Sequence, residues 1–139
     1  MNAAAVARAF LVAHGVICAA FAAWCILSPQ STAAAIGLAF ATPAGKSEYL
    51  TVYGGIQGGL ALLFCTTGAR RDLVHAGLLA SACILGPVAL IRVATLLSIA
   101  DLPVLTYVLC VLEVALASFS VALLLVLKPG NSPSCTASV

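Results

Sequence analysis

The chain has 139 residues, enough for one domain, and 63% of them are hydrophobic while only 7% are charged. A soluble domain is usually about a quarter charged, so a mean hydropathy of +1.20 excludes an ordinary water-soluble globule and leaves an integral membrane protein. The formal charge of +2 excludes the basic stripe that nucleic acid requires and matters only through where the positive residues lie.

A helix that crosses a bilayer needs about 20 mostly apolar residues, and four stretches meet that requirement. The first covers residues 6–27 and is stopped by Ser28-Pro29. Arg8, the apolar run behind it and Ala20-Phe21-Ala22 imitate a signal peptide, but His14 interrupts the run and the segment reads as a retained span. Residues 31–47 are too few and too broken, by Thr42-Pro43 and Gly45-Lys46, to cross. Residues 32–40 are therefore expected to form a short interfacial helix or an extramembrane loop.

The second span is expected over 49–66, and Gly68 with Arg70, Arg71 and Asp72 separates it from the third, over 73–99. Asp101 ahead of Pro103 marks a tight turn into the fourth, over 103–127, which Lys128-Pro129-Gly130 ends. The expected fold is thus an all-α membrane protein, a bundle of four transmembrane helices with antiparallel neighbours. Residues 1–128 make its one domain, and the Ser-, Pro- and Asn-containing stretch 129–139 is expected to be a disordered tail.

With the N-terminus inside, Arg8, Arg70, Arg71 and Lys128 fall on the cytoplasmic side and only Lys46 outside, which satisfies the positive-inside rule. Both termini are accordingly expected in the cytoplasm. Of the six cysteines, Cys18, Cys25, Cys65, Cys83 and Cys110 lie within apolar runs and Cys135 in the tail. No C-x-x-C pair occurs, so they read as small buried hydrophobes rather than as a zinc or redox motif.

Helix two carries Gly54, Gly55, Gly58 and Gly59, two overlapping registers of small residues four apart. In lipid such residues let helix backbones approach closely, either within one bundle or along a dimer seam. Arg92 and Glu113 are charges inside spans, each costing about 2.5–3.5 kcal/mol at the bilayer centre. At 1.5 Å per residue, Arg92 lies roughly 10 Å below the outer end of helix three and Glu113 roughly 15 Å below that of helix four. An intramembrane ion pair is expected.

Thr106, Cys110, Glu113, Ala117 and Ser120 share one face of helix four, and Tyr49, Tyr53 and Gln57 one face of helix two, with Glu48 at the surface above them. Turned inward, these faces enclose either a satisfied structural network or a polar cavity, with Tyr53, Gln57, Arg92 and Glu113 as the ligand-binding candidates. His14 shares a face with Cys18 and Cys25 but has no carboxylate at its depth, which argues against a metal ligand. His75, beside Arg71 and Asp72, reads as interfacial. There is no Ser-His-Asp set, HExxH, phosphate loop or dinucleotide fingerprint, hence no catalytic residue and no cofactor is assigned.

The order Glu48-Tyr49, Tyr53-Gly54-Gly55-Ile56-Gln57-Gly58-Gly59, Arg92, Asp101, Pro103 and Glu113 resembles an uncharacterised bacterial four-helix integral membrane family, DoxX-like in architecture. The likeness runs nearly to Lys128, though Asp101-Leu102-Pro103 replaces an expected glycine between acid and proline. It implies a four-helix bundle in a bacterial inner membrane. DoxX-like proteins include small subunits associated with redox enzymes and quinone reduction, but no residue set here would bind a redox cofactor.

Two functions follow as expectations. One is a non-catalytic accessory or scaffold subunit that binds another membrane protein, a second copy of itself or a lipid, suggested by size, short loops and the glycines. The other is a site for a hydrophobic small molecule, of lipid or quinone type, or a membrane enzyme, built on Gln57, Arg92 and Glu113. A transporter is disfavoured, since inverted repeats are not evident, although Pro87 could kink helix three. The orientation is testable by thiol labelling of intact cells. A cysteine placed at Ala44 should react with an impermeant probe while native Cys135 stays protected, and the reverse pattern would invert the topology.

Overall fold

In the computed structural model residues 2–127 are described, and all regular structure among them is helical. Lys128, the expected tail 129–139 and Cys135 lie outside the described residues. Four helices are long and apolar enough to cross a membrane: Ala3–Leu27, Pro43–Ala69, Arg71–Ser98 and Val104–Val126. Large apolar side chains cover their outer faces. Leu62, Leu90, Leu97, Val104, Val111 and Leu125 are each more than 70% exposed, which water would not tolerate over so wide a belt and lipid would.

Local chemistry sets the helix ends. Asn2 caps the first long helix by accepting from the Ala4 N–H at 3.2 Å. Pro29 then opens a short connector helix, Pro29–Ala35, which Gly37 closes with φ +79°. Only half of the expected interfacial segment 32–40 is therefore helical. Thr42-Pro43 does not interrupt the chain as expected. The Thr42 hydroxyl accepts from the Gly45 N–H at 3.1 Å and Pro43 occupies the first helical turn, so the pair starts the second long helix six residues ahead of Tyr49.

That second helix is not uniformly wound. Leu50–Ile56 is π-helical, between α-helical Pro43–Tyr49 and Gln57–Ala69. The 3–4 spacing that placed Tyr49, Tyr53 and Gln57 on one face presumes an α-helix throughout, and the i→i+5 winding alters it. The third helix stays continuous through Pro87. Between the third and fourth helices Asp101 takes φ 58°, a left-handed conformation that aspartate tolerates better than most residues. The acid itself thus occupies the conformation for which glycine was expected one residue later.

The first helix packs chiefly along the second, and the third along the fourth; contacts between these two pairs are sparser. The core lies toward the end that carries the N-terminus, where Ala7, Leu11, Phe64, Val74, Leu78 and Leu123 are buried together. Arg8 ties this end, donating from Nε to the Gly68 carbonyl and from Nη2 to the Ala69 carbonyl, each at 3.1 Å. It satisfies carbonyls at the end of the second helix, where the backbone dipole also favours a cation. At the other end Cys25, Ala33 and Tyr49 form a smaller cluster under the connector.

The glycines behave differently from expectation. A Cβ on Gly54 would stand 2.8 Å from Ile26 Cγ1, so the first helix approaches closely there, but Gly55, Gly58 and Gly59 have nothing within 4 Å of such a Cβ. Packing inside one bundle is therefore not what those three provide. Tight contacts come instead at Gly15, Gly68 and Gly77; a Cβ on Gly15 would meet Cys65 Sγ at 2.5 Å and the Cys65 amide at 2.9 Å. Gly15→Ala should destabilise the protein by about 1–3 kcal/mol through overpacking. Gly59→Ala should leave it unchanged or stabilise it by up to about 1 kcal/mol. Denaturant unfolding in mixed micelles compares the two, and equal effects would contradict this packing.

Candidate functional site

The third and fourth helices carry one charge each into the apolar region, and the charges meet. The Arg92 guanidinium donates from Nε to Glu113 Oε2 and from Nη2 to Oε1, the latter at 2.8 Å. Both carboxylate oxygens are engaged in a fork geometry that is among the strongest a protein can form. The side chains are 28% and 14% exposed, so neither charge has enough solvent to stand alone. Of five guanidinium N–H donors two are used on Glu113, and the remaining three are available to another acceptor.

Beside the pair lies a cavity of about 130 Å³ walled by all four long helices. His14 and Cys18 contribute from the first, Tyr53 and Gln57 from the second, Arg92 from the third and Glu113 from the fourth. Ile17, Phe21, Leu85, Leu109, Leu112 and Leu116 complete an apolar surround. Its existence follows from the sparse contact between the two helix pairs away from the main core. The four ligand-binding candidates named from the sequence, Tyr53, Gln57, Arg92 and Glu113, all stand on this one wall.

Other residues do not join them. Tyr49 is buried against the first helix, its hydroxyl donating to Cys25 Sγ at 3.4 Å and its ring stacked on Tyr53 at 4.7 Å. It packs on Tyr53 and stands outside the cavity wall. Thr106, Cys110 and Ser120 are buried in the bundle but do not line the cavity. Gly55, Gly58 and Gly59 are also outside its wall.

His14 is the residue that sequence reasoning undervalued. It is 2% exposed, its ring stacked on Phe64 with centroids 4.1 Å apart, and its Nδ1 lies 3.3 Å from Ser81 Oγ. Ser81 in turn lies 2.7 Å from Ser120 Oγ, so a polar chain links the first, third and fourth helices. The same counting of depth along helices that paired Arg92 with Glu113 also brings His14, Ser81 and Ser120 to one level. Among the described residues no three His, Cys, Asp or Glu side chains gather as a metal ion would require.

Chemically, the wall offers a guanidinium with spare donors, an amide that donates and accepts, a phenol and an imidazole, set in an apolar frame. Such a surface can orient a polar group that enters from lipid. Fold and site together define a multi-pass helical membrane protein with a mostly apolar cavity inside its bundle that carries a few polar groups. Comparison with protein-family models, curated proteins and solved structures finds no match to this chain.

The pair dominates the energetics of the site. Arg92→Ala or Glu113→Ala alone should destabilise by about 3–5 kcal/mol, because the remaining charge is left in a poorly solvated place. Arg92→Met combined with Glu113→Leu should cost much less, since both desolvation penalties vanish together. A double-mutant cycle by unfolding in micelles measures this, and additive effects would show the two charges to be energetically independent.

Proposed function

We propose that this chain is a multi-pass protein of a bacterial inner membrane that binds the polar head of a membrane-soluble amphiphile within its helix bundle. The observation that carries the reading is the cavity beside Arg92 and Glu113, to which every long helix contributes. Ligand sites are typically apolar hollows with a few placed polar groups, and this one has that composition. Its size narrows the ligand. At about 130 Å³ it is well below the roughly 300–1,000 Å³ of a site that engulfs a whole drug-sized molecule. It suits a head about the size of one ring, because an apolar cavity of about 150 Å³ accommodates benzene.

The tail of such a ligand would remain in lipid. Ile17 lines the cavity and is also 39% exposed on the apolar surface, which supports a lateral opening beside the first helix. The antiparallel arrangement with cytoplasmic termini rests on the positions of the Lys and Arg residues. The bacterial setting rests on the resemblance of motif order to the DoxX-like four-helix family. No catalytic step is assigned.

A second reading, an accessory or scaffold subunit, is favoured by the strip over Gly55, Gly58 and Gly59, where among the described residues no packing side chain stands within 4 Å of an added Cβ. A helix of another membrane protein or of a second copy could approach there. Native mass spectrometry of the protein released from nanodiscs separates the two. The amphiphile reading expects a small-molecule adduct on the parent that Leu112→Trp, which fills the cavity, abolishes while Gly59→Leu retains it. A protein partner lost on Gly59→Leu, with no adduct on the parent, would favour the accessory reading.

A further inference from the structure

The polar chain that begins at His14 runs through two serine hydroxyls and ends at a carbonyl. Ser120 Oγ lies 2.8 Å from the Leu116 carbonyl, which can only accept, and placing the Ser120 proton there gives the chain one direction. In that direction Ser81 donates to Ser120 Oγ across their 2.7 Å contact. With its own proton so used, Ser81 can only accept at the 3.3 Å contact with His14 Nδ1. In that direction Nδ1 of His14 carries the proton.

The other ring nitrogen is left to the cavity. Among the described residues none hydrogen-bonds His14 Nε2, and yet no buried side-chain nitrogen or oxygen lacks a partner. Nε2 therefore reaches open space, and the space that His14 lines is the cavity beside Arg92 and Glu113. No second carboxylate stands there to hold an imidazolium. Glu113 is engaged at both oxygens by Arg92, and the other three acids, Glu48, Asp72 and Asp101, are all exposed. A neutral ring protonated at Nδ1 presents the Nε2 lone pair to the cavity.

We infer that His14 Nε2 is the hydrogen-bond acceptor that selects the ligand, and that the head it takes is an uncharged group with a hydroxyl or comparable donor. The inference rests on the amphiphile reading above and adds a direction of recognition. Arg92, with its spare N–H donors, reads an acceptor atom of the head, and His14 reads its donor. Stacking on Phe64 and the bond to Ser81 hold the imidazole in place, so Ser81 and Ser120 are positioning residues. A site built to receive a hydroxyl discriminates against an analogue lacking it, because a buried acceptor is then left without a partner.

Two measurements on the full chain in nanodiscs test this. Nitrogen-15 spectra of histidine-labelled protein, with the His75 signals assigned from His75→Gln, should show His14 neutral and protonated at Nδ1. A proton on Nε2 would overturn the inference. Binding of 4-octylphenol and of its methyl ether, which differ only in the hydroxyl donor, should favour the phenol by about tenfold or more. His14→Phe and, without touching the cavity wall, Ser81→Ala should reduce that preference below about threefold. If phenol and ether bind the parent equally, donor selection fails while the amphiphile reading stands. If neither binds, both fail.

Discussion

Everything in this bundle is organised around a guanidinium and a carboxylate that lipid will not accept singly. Arg92 and Glu113 hold the third and fourth helices at a common level, because any slide along the helix axis would separate them in a medium of low dielectric. Once that register is set, the remaining polar groups must also find partners inside the protein. Ser81 and Ser120 do so across the same helix pair, and His14 extends the link to the first helix. The cavity is the space left between the two helix pairs where polar groups prevent apolar closure.

Much of this was legible because bilayer thickness imposes a length on helices and a cost on charges. Those two constraints locate four spans and, by counting residues from their ends, bring Arg92 level with Glu113. What sequence reasoning misplaced depends on context that counting does not contain. Thr42-Pro43 has the composition of a loop breaker, but a hydroxyl followed by proline is equally the chemistry of a helix start, and the Gly45 amide decides between them. The π-helical Leu50–Ile56 has no composition that announces it; Tyr53 and Gln57 reach the cavity, while Tyr49, stacked on Tyr53, ends at Cys25 outside the wall.

The glycines illustrate the same limit. Spacing alone singled out Gly54, Gly55, Gly58 and Gly59, a pattern that says backbones can approach but not from which side. Close approach occurs at Gly54 among the four, and also at Gly15, Gly68 and Gly77, which lie outside that cluster. His14 was judged by its lack of a carboxylate at equal depth. Its actual partner is a serine, a residue too common in transmembrane helices to stand out without the fold.

The uneven distribution of the core has a consequence for how the molecule opens. Leu11, Phe64 and Leu78, each wholly buried, lie toward one end of the bundle. The half around the cavity is held instead by a few directional bonds and by the connector, whose Gly37 lies against Pro103. Free energies of local opening follow buried apolar contact, so amides of the cavity half will exchange with solvent through smaller excursions than those of the core half. Whatever binds there closes the weaker part of the structure and raises its stability by RT ln(1 + [L]/Kd). Occupancy would then be read out as resistance to local unfolding in the less densely packed half of the bundle, a coupling that a uniformly packed bundle could not provide.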